Sequence, residues 1–206
     1  MYQNPFNITQ LHGITLIQAS TNDTNLQWTT TTNQKQAWCV MPGCSCHYTY
    51  GRNNKPHEAS PFPPYLNSTL QSMNDLVATN HDGLYSYKGA TYNGCNITLY
   101  LDPEDNLGWH DDNDDLFNTN TTSPSDFKSI ASFSIGSPRQ FQFKHKTTNQ
   151  QHNTTLHNGS VVIMEKATQN NYVHRIPATQ FNDDNFHNIR IALTFRHITP
   201  NCHRHT

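Results

Sequence analysis

The sequence predicts an α+β fold that is mainly β, an antiparallel sheet sandwich backed by helices toward its N-terminal end. Three observations carry the prediction. Leu66, Leu70, Met73 and Val77 recur at helical spacing, so they share one face of a helix. After Asn80 the chain changes to short segments that alternate apolar and polar residues with period two. Helical material followed by many strands is the order expected of a sheet packed under helices. The composition is polar, with 33% apolar and 14% charged residues, but 11% aromatics and a net charge of −2 mark a folded chain rather than a disordered one.

The elements follow in order. Residues from about 20 to 36, with Thr29-Thr30-Thr31-Thr32-Asn33-Gln34 at their centre, show little periodicity and read as a surface loop or a weak helix end. Pro63 or Pro64 suits the first turn of the helix that carries Leu66 to Val77, where a missing N–H costs nothing. Strands are expected at Ile97–Tyr100, Ile130–Ile135, around Phe141 and Phe143, and at Val161–Met164. In the last strand Ile189, Ile191, Leu193 and Phe195 share one face, while Arg190, Ala192, Thr194 and Arg196 share the other.

Charge and cysteine usage bound the function. A chain that lives on a phosphate backbone is usually basic, whereas the sequence pI here is about 6.7. A nucleic-acid footprint, if present, is therefore local, and Arg139, Lys144, His145 and Lys146 form its compact basic patch. The N-terminal Met1-Tyr2-Gln3-Asn4-Pro5-Phe6 has neither a basic region nor a long apolar core, and Val161-Val162-Ile163-Met164 is too short to span a bilayer. Five cysteines without framework spacing suggest reduced thiols and a cytoplasmic setting. Cys39, Cys44, Cys46 and His47 are too irregularly spaced for a zinc site.

The sharpest chemical feature is Trp109-His110-Asp111-Asp112. A histidine and a carboxylate two positions apart on extended backbone point to the same side. With a distant second histidine, His174, they form the 2-His-1-carboxylate set that holds iron(II) on one face and leaves the other positions open. Two arginines at even spacing on one strand, Arg190 and Arg196, aim fixed cationic forks into the same interior.

The ordered succession from His110-x-Asp112 through residues 130–146, 158–164 and His174 to Arg190-Ile191-Ala192-Leu193-Thr194-Phe195-Arg196 resembles the AlkB family of iron(II)/2-oxoglutarate dioxygenases. It is clear from about Tyr92 to Ile198 and thinner upstream. The resemblance implies a double-stranded β-helix, or jelly roll, over 91–198 of a single domain, with residues 1–90 as a helical and substrate-lid region. It implies iron ligation by His110, Asp112 and His174. It implies 2-oxoglutarate contacts from Tyr100 and Arg190 at the distal carboxylate, Arg196 near the chelating end, and Thr98. The family commonly carries asparagine where this chain has Thr98 and Ala192, a departure that removes hydrogen bonds from the co-substrate pocket.

Substrate contacts implied in the same way are Asp114, whose charge suits a cationic N-methylated base, and Trp38, Tyr48 and Tyr50, which suit stacking on an extruded base. The expected activity is oxidative demethylation of 1-methyladenine- or 3-methylcytosine-type bases in DNA or RNA by a monomer away from membranes. Iron(II), 2-oxoglutarate and O2 are consumed or held, and formaldehyde and succinate are released. Two alternatives stand beside it. One is an AlkB-like oxygenase acting on a protein or small molecule; the other is a nucleic-acid-binding module whose co-substrate pocket has degenerated.

Overall fold

Alternating strands that carry apolar residues on one face and polar residues on the other ordinarily turn the polar face to water. Here they do not. The computed structural model describes residues 10–31, 33–44, 46–50, 55–78, 92–112, 129–179 and 186–198. Within them two sheets face each other: the larger turns the polar face of its strands toward the apolar face of the smaller, and helices cover the apolar face of the larger.

The chain opens with α1 (Gln10–Asn22), followed by the short β1 (Thr29–Thr30), β2 (Lys35–Val40), the hairpin β3 (Tyr48–Tyr50) and β4 (Lys55–His57), and β5 (Ala59–Pro61). A 3₁₀ turn, Pro64–Leu66, leads into α2 (Asn67–Ala78). The remaining strands are β6 (Gly94–Tyr100), β7 (Leu107–His110), β8 (Ile130–Gly136), β9 (Arg139–His145), β10 (Gln151–Leu156) and β11 (Val161–Met164). After α3 (Lys166–Asn171) come β12 (Tyr172–Ile176) and β13 (Arg190–Arg196). The larger sheet runs β1-β2-β6-β13-β8-β11, with β5 added parallel to β2; the smaller runs β10-β9-β12-β7 and is antiparallel throughout.

The helix expected from Leu66 to Val77 is α2 with its 3₁₀ entry, and Leu66, Leu70, Met73 and Val77 are all buried. Pro64 opens the 3₁₀ turn, as a residue without an N–H can. These side chains, with Leu16 and Ile17 of α1, cover Ile97, Leu99, Phe133, Ile191, Leu193 and Phe195 in one apolar cluster. A second cluster between the sheets includes Ile130, Phe141, Val162, Met164 and Ile176.

The expected strands are present with shifted ends; β13 starts at Arg190 rather than Ile189. The stretch from 20 to 36 is not wholly loop, because it holds the end of α1, all of β1 and the start of β2. Strand β10 was not expected. Its Gln151-His152-Asn153-Thr154-Thr155 run has no apolar period and is held by six register pairs with β9. The expectation of reduced thiols holds for Cys39, Cys44 and Cys95 but not for Cys46, which is disulfide-bonded. Among the described residues, no helix is long and apolar enough to cross a membrane.

Gly136 closes β8 with φ +97, and a Cβ there would collide with the Ile189 carbonyl oxygen. An L side chain thus meets both left-handed backbone and a main-chain clash at the bend that delivers Arg190. Gly136→Ala is expected to destabilise the chain by about 2–4 kcal/mol, read as a lowered urea midpoint at unchanged m-value.

Candidate metal centre

The site is built by strand register. His110 on β7 and His174 on β12 are direct cross-strand partners, so their imidazoles rise from adjacent antiparallel strands into the same cavity, with ring centroids 4.2 Å apart. Asp112 follows two residues after His110, and its side chain returns to the pair. Asp112 Oδ2 is 3.5 Å from His174 Nε2, and Asp112 Oδ1 is 3.8 Å from His110 Nε2. The three residues form the one His/Cys/Asp/Glu group among those described that could hold a metal ion.

Each ligand is oriented by a further contact. His110 Nδ1 donates to the Gly108 carbonyl at 2.8 Å, which fixes the tautomer and leaves the Nε2 lone pair for a metal. Burial, reinforced by the neighbouring His174, pushes the His110 imidazole down to about 4, so it is neutral at physiological pH. Phe141 stacks on His174 at 5.3 Å with an interplanar angle of 27°. Arg196 Nη2 donates to Asp112 Oδ1 at 2.6 Å in a pair whose side chains are almost fully buried. Burial alone would raise the Asp112 carboxyl. The Arg196 guanidinium and the two imidazoles more than offset it and hold the carboxyl well below the usual carboxylate range. With Oδ1 taken by Arg196, Oδ2 is the oxygen left for an ion.

The same cavity is lined by Arg190, 1% exposed. Its Nη2 donates to Ser134 Oγ at 3.0 Å, whereas Nε and Nη1 have no hydrogen-bond partner. A buried guanidinium with two orphan donors is costly unless something anionic completes it. Tyr100 is its neighbour: the Arg190 Cζ sits 5.0 Å from the phenol ring centroid, and burial, opposed by Arg190, pushes the phenol up from its ordinary value. Thr98 and Ala192 line the cavity between the two arginines. Gln36, the cross-strand partner of Thr98, and Asn96 line it too, and Gln36 Oε1 and Asn96 Oδ1 have no hydrogen-bond partners. Neither amide was singled out from the sequence, yet they stand beside the positions where Thr98 and Ala192 offer least.

The donor set suits iron(II): two imidazole nitrogens and one carboxylate on one side, with a cationic, partly unsatisfied pocket adjoining. Structure therefore brings together His110, Asp112, His174, Tyr100, Thr98, Arg190 and Arg196. It places the aromatic candidates differently. Trp38 is fully buried, donates from Nε1 to the Cys46 carbonyl at 2.8 Å, and would be struck by a Cβ on Gly94 at 2.7 Å. Tyr48, 1% exposed, packs against Trp38 at 5.2 Å and lies 5.4 Å beneath the Arg196 guanidinium. Tyr50 sits two residues further along β3, and Asp114 lies outside the described residues.

The basic patch is also redistributed. Arg139 is 1% exposed and donates to the carbonyls of Asp102, Pro103 and Asp105, so it clamps the turn between β6 and β7. Lys146 pairs with Asp111 at 2.6 Å. Lys144 remains, and Arg175 joins it.

Residues 8–196 match the sequence family described as the 2OG-Fe(II) oxygenase superfamily. Alpha-ketoglutarate-dependent dioxygenase alkB homolog 3 of Rattus norvegicus is 29% identical over 162 residues, which are 74% of this chain and 47% of that protein. DNA oxidative demethylase ALKBH2 of Bos taurus is 32% identical over 126 residues, 57% of this chain and 41% of that protein. The chain thus spans about half the length of these curated relatives. The solved structure of OsALKBH1 superposes with a TM-score of 0.61 at 14% identity, covering 96% of this chain and 99% of that one, a likeness of fold.

Proposed function

This chain belongs to the 2OG-Fe(II) oxygenase superfamily, and from that premise we propose that it demethylates N-methylated nucleobases of the 1-methyladenine or 3-methylcytosine type in DNA or RNA. The facing sheets support a jelly-roll core for this chemistry. One observation carries the reading: a two-histidine, one-aspartate set and a buried arginine with two orphan donors share a single cavity.

When bound, iron(II) with 2-oxoglutarate and O2 supplies the oxidation. It would place one oxygen atom in succinate as CO2 leaves and the other in an N-methyl C–H bond, so that the resulting carbinolamine would split into formaldehyde and the free base. The chain's own residues do the rest. His110, Asp112 and His174 hold the ion. Arg190, braced by Ser134 and Tyr100, offers its unfilled donors to a carboxylate. Arg196 keeps Asp112 ionised and fixed in direction. Phe141, Met164 and Ile176 dry the cavity, where polar interactions are worth more than in water. The relatives' names, AlkB homolog 3 and a DNA oxidative demethylase, favour a nucleic-acid substrate over a protein or small molecule.

A local cationic surface supports the same choice. Lys144 Nζ and Arg175 Cζ each lie 4.5 Å from the centroid of the Trp109 ring, and neither makes an ion pair among the described residues. Strand alternation turns Trp109 and Arg175 to the sheet face opposite His110 and His174. Neutralising both as Lys144→Gln/Arg175→Gln is expected to weaken single-stranded oligonucleotide binding about tenfold at low salt. It should lower the salt slope by about 1–2 and leave 2-oxoglutarate affinity unchanged.

The proposed activity is tested by formaldehyde release from 1-methyladenine- and 3-methylcytosine-containing oligonucleotides with iron(II) and 2-oxoglutarate. Release from either supports it. Succinate formation with a protein or small-molecule panel, and none with these oligonucleotides, contradicts it.

A further inference from the structure

We propose that Gln169, with Lys146 bound to its main chain, is a positioning residue that locks the Asp111–Asp112 turn into ligand geometry and thereby sets the chain's metal affinity. The inference rests on the reading of His110, Asp112 and His174 as a metal centre, and goes beyond it by naming what holds the centre's least supported ligand.

Asp112 needs such support. His110 ends β7 and His174 lies inside β12, so both are fixed by the ladder that pairs them. Asp112 lies past the strand end, where no ladder bond reaches it. Arg196 restrains the outer end of its carboxylate, but a carboxylate can be aimed correctly only if the main chain beneath it is also fixed.

That role falls to a residue 57 positions away. Gln169 is wholly buried on α3, the short helix between β11 and β12. Its Oε1 accepts the backbone N–H of Asp112 at 2.9 Å, and its Nε2 points at Met164 Sδ, 3.6 Å away. A backbone N–H can only donate, so the orientation of this amide is not arbitrary. The same residue reaches Asp111 by a second route. The Gln169 carbonyl accepts from Lys146 Nζ at 2.7 Å, and that ammonium stands 2.6 Å from Asp111 Oδ2. The Lys146 N–H in turn donates to the Asn171 carbonyl at 2.8 Å, tying α3 to the end of β9. Two consecutive residues of the ligand turn are thus secured by one glutamine, Asp112 through its main chain and Asp111 through a lysine.

The consequence is energetic. Remove the acceptor and the Asp112 N–H is buried unsatisfied, so the turn relaxes toward conformations in which it finds another partner. Metal binding must then reorder the turn each time, and the cost appears as lost affinity. Groups that orient metal ligands typically change affinity by about 10- to 100-fold when removed.

The test is calorimetric titration of the metal-free protein with Mn(II), alongside hydrogen exchange at the Asp112 amide. Gln169→Met is expected to weaken Mn(II) binding by about 10- to 100-fold. Gln169→Glu, which keeps an acceptor at the same reach, should stay within about threefold of the parent. Lys146→Met, a change at a part-exposed side chain, should weaken binding by several-fold and speed exchange at Asp112. Lys146→Met also carries the test if Gln169→Met fails to fold. Parental affinity in both Gln169→Met and Lys146→Met, or equal losses in Gln169→Met and Gln169→Glu, overturns the positioning role. A parent protein that binds no Mn(II) overturns the metal centre itself, and the latch with it, which separates the two failures.

Discussion

Asp112→Ala is expected to abolish divalent-metal binding and turnover and, unusually for a ligand substitution, to unfold the metal-free protein more easily. The first effect follows from losing the one anionic ligand of three. The second follows from Arg196, whose side chain is 3% exposed and whose Nη2 is 2.6 Å from Asp112 Oδ1. Removing one partner of a buried ion pair strands the other charge in low dielectric, which costs about 3–5 kcal/mol. Asp112→Ala should therefore lower the thermal midpoint of the metal-free chain by several degrees. The double variant Asp112→Ala/Arg196→Met should recover most of that stability while still binding no metal. A single variant that melts like the parent would show that the pair carries no net energy, and the account of Asp112's ionisation would fall with it.

Arg190→Met has the opposite sign on stability. In the parent this guanidinium is buried with Nε and Nη1 unsatisfied, a configuration that favours ligand binding at the expense of the empty fold. A neutral side chain of similar length removes the penalty, so the metal-free variant should be more stable by about 1–2 kcal/mol. Its affinity for 2-oxoglutarate should collapse. Each hydrogen bond to a charged group contributes about 1.5–3 kcal/mol, so losing two raises the dissociation constant by about two to four orders of magnitude. Mn(II) binding in the absence of 2-oxoglutarate should be unchanged. Calorimetry against both ligands, with a melting curve, reads all three effects; unaltered 2-oxoglutarate affinity would remove Arg190 from the pocket.

These two signs trace back to how legible the chain was. The period-two strands could be read because their apolar halves, Ile191, Leu193 and Phe195 above all, pack under α1 and α2. The same alternation hid half of its meaning. Arg190, Ala192, Thr194 and Arg196 occupy the face that normally meets water, and here it meets a second sheet. The candidate metal ligands could be singled out because their chemistry is scarce and their order along the chain is distinctive, and the fold brings them together.

Elements without those signals were not. Helix α1 contains Gly13 and the β-branched Ile14, Thr15 and Ile17, all poor helix formers, and is held by packing on β8 rather than by propensity. Strand β10 has no apolar pattern and exists through pairing with β9. Arg139 looked like a surface cation because alternation says nothing of three carbonyls waiting in the β6–β7 turn. Gln169 gave no signal at all. Its importance is one contact made across 57 residues, and only a folded chain displays it. Trp38 and Tyr48, read as lid aromatics, lie in a small cluster with Val40, Cys46 and Ile198, because aromatic identity alone does not separate stacking surfaces from core.

The central claim is that the triad and the Arg190 pocket form one working centre rather than two neighbouring oddities. It is tested most directly by titrating the intact protein with 2-oxoglutarate in the presence and absence of Mn(II). A co-substrate held by both the ion and Arg190 should bind at one site per chain and at least tenfold more tightly with the metal. By linkage, Mn(II) should then bind more tightly with 2-oxoglutarate by the same factor. Affinity for 2-oxoglutarate that is indifferent to the metal, or no binding of either by a folded chain, would contradict it.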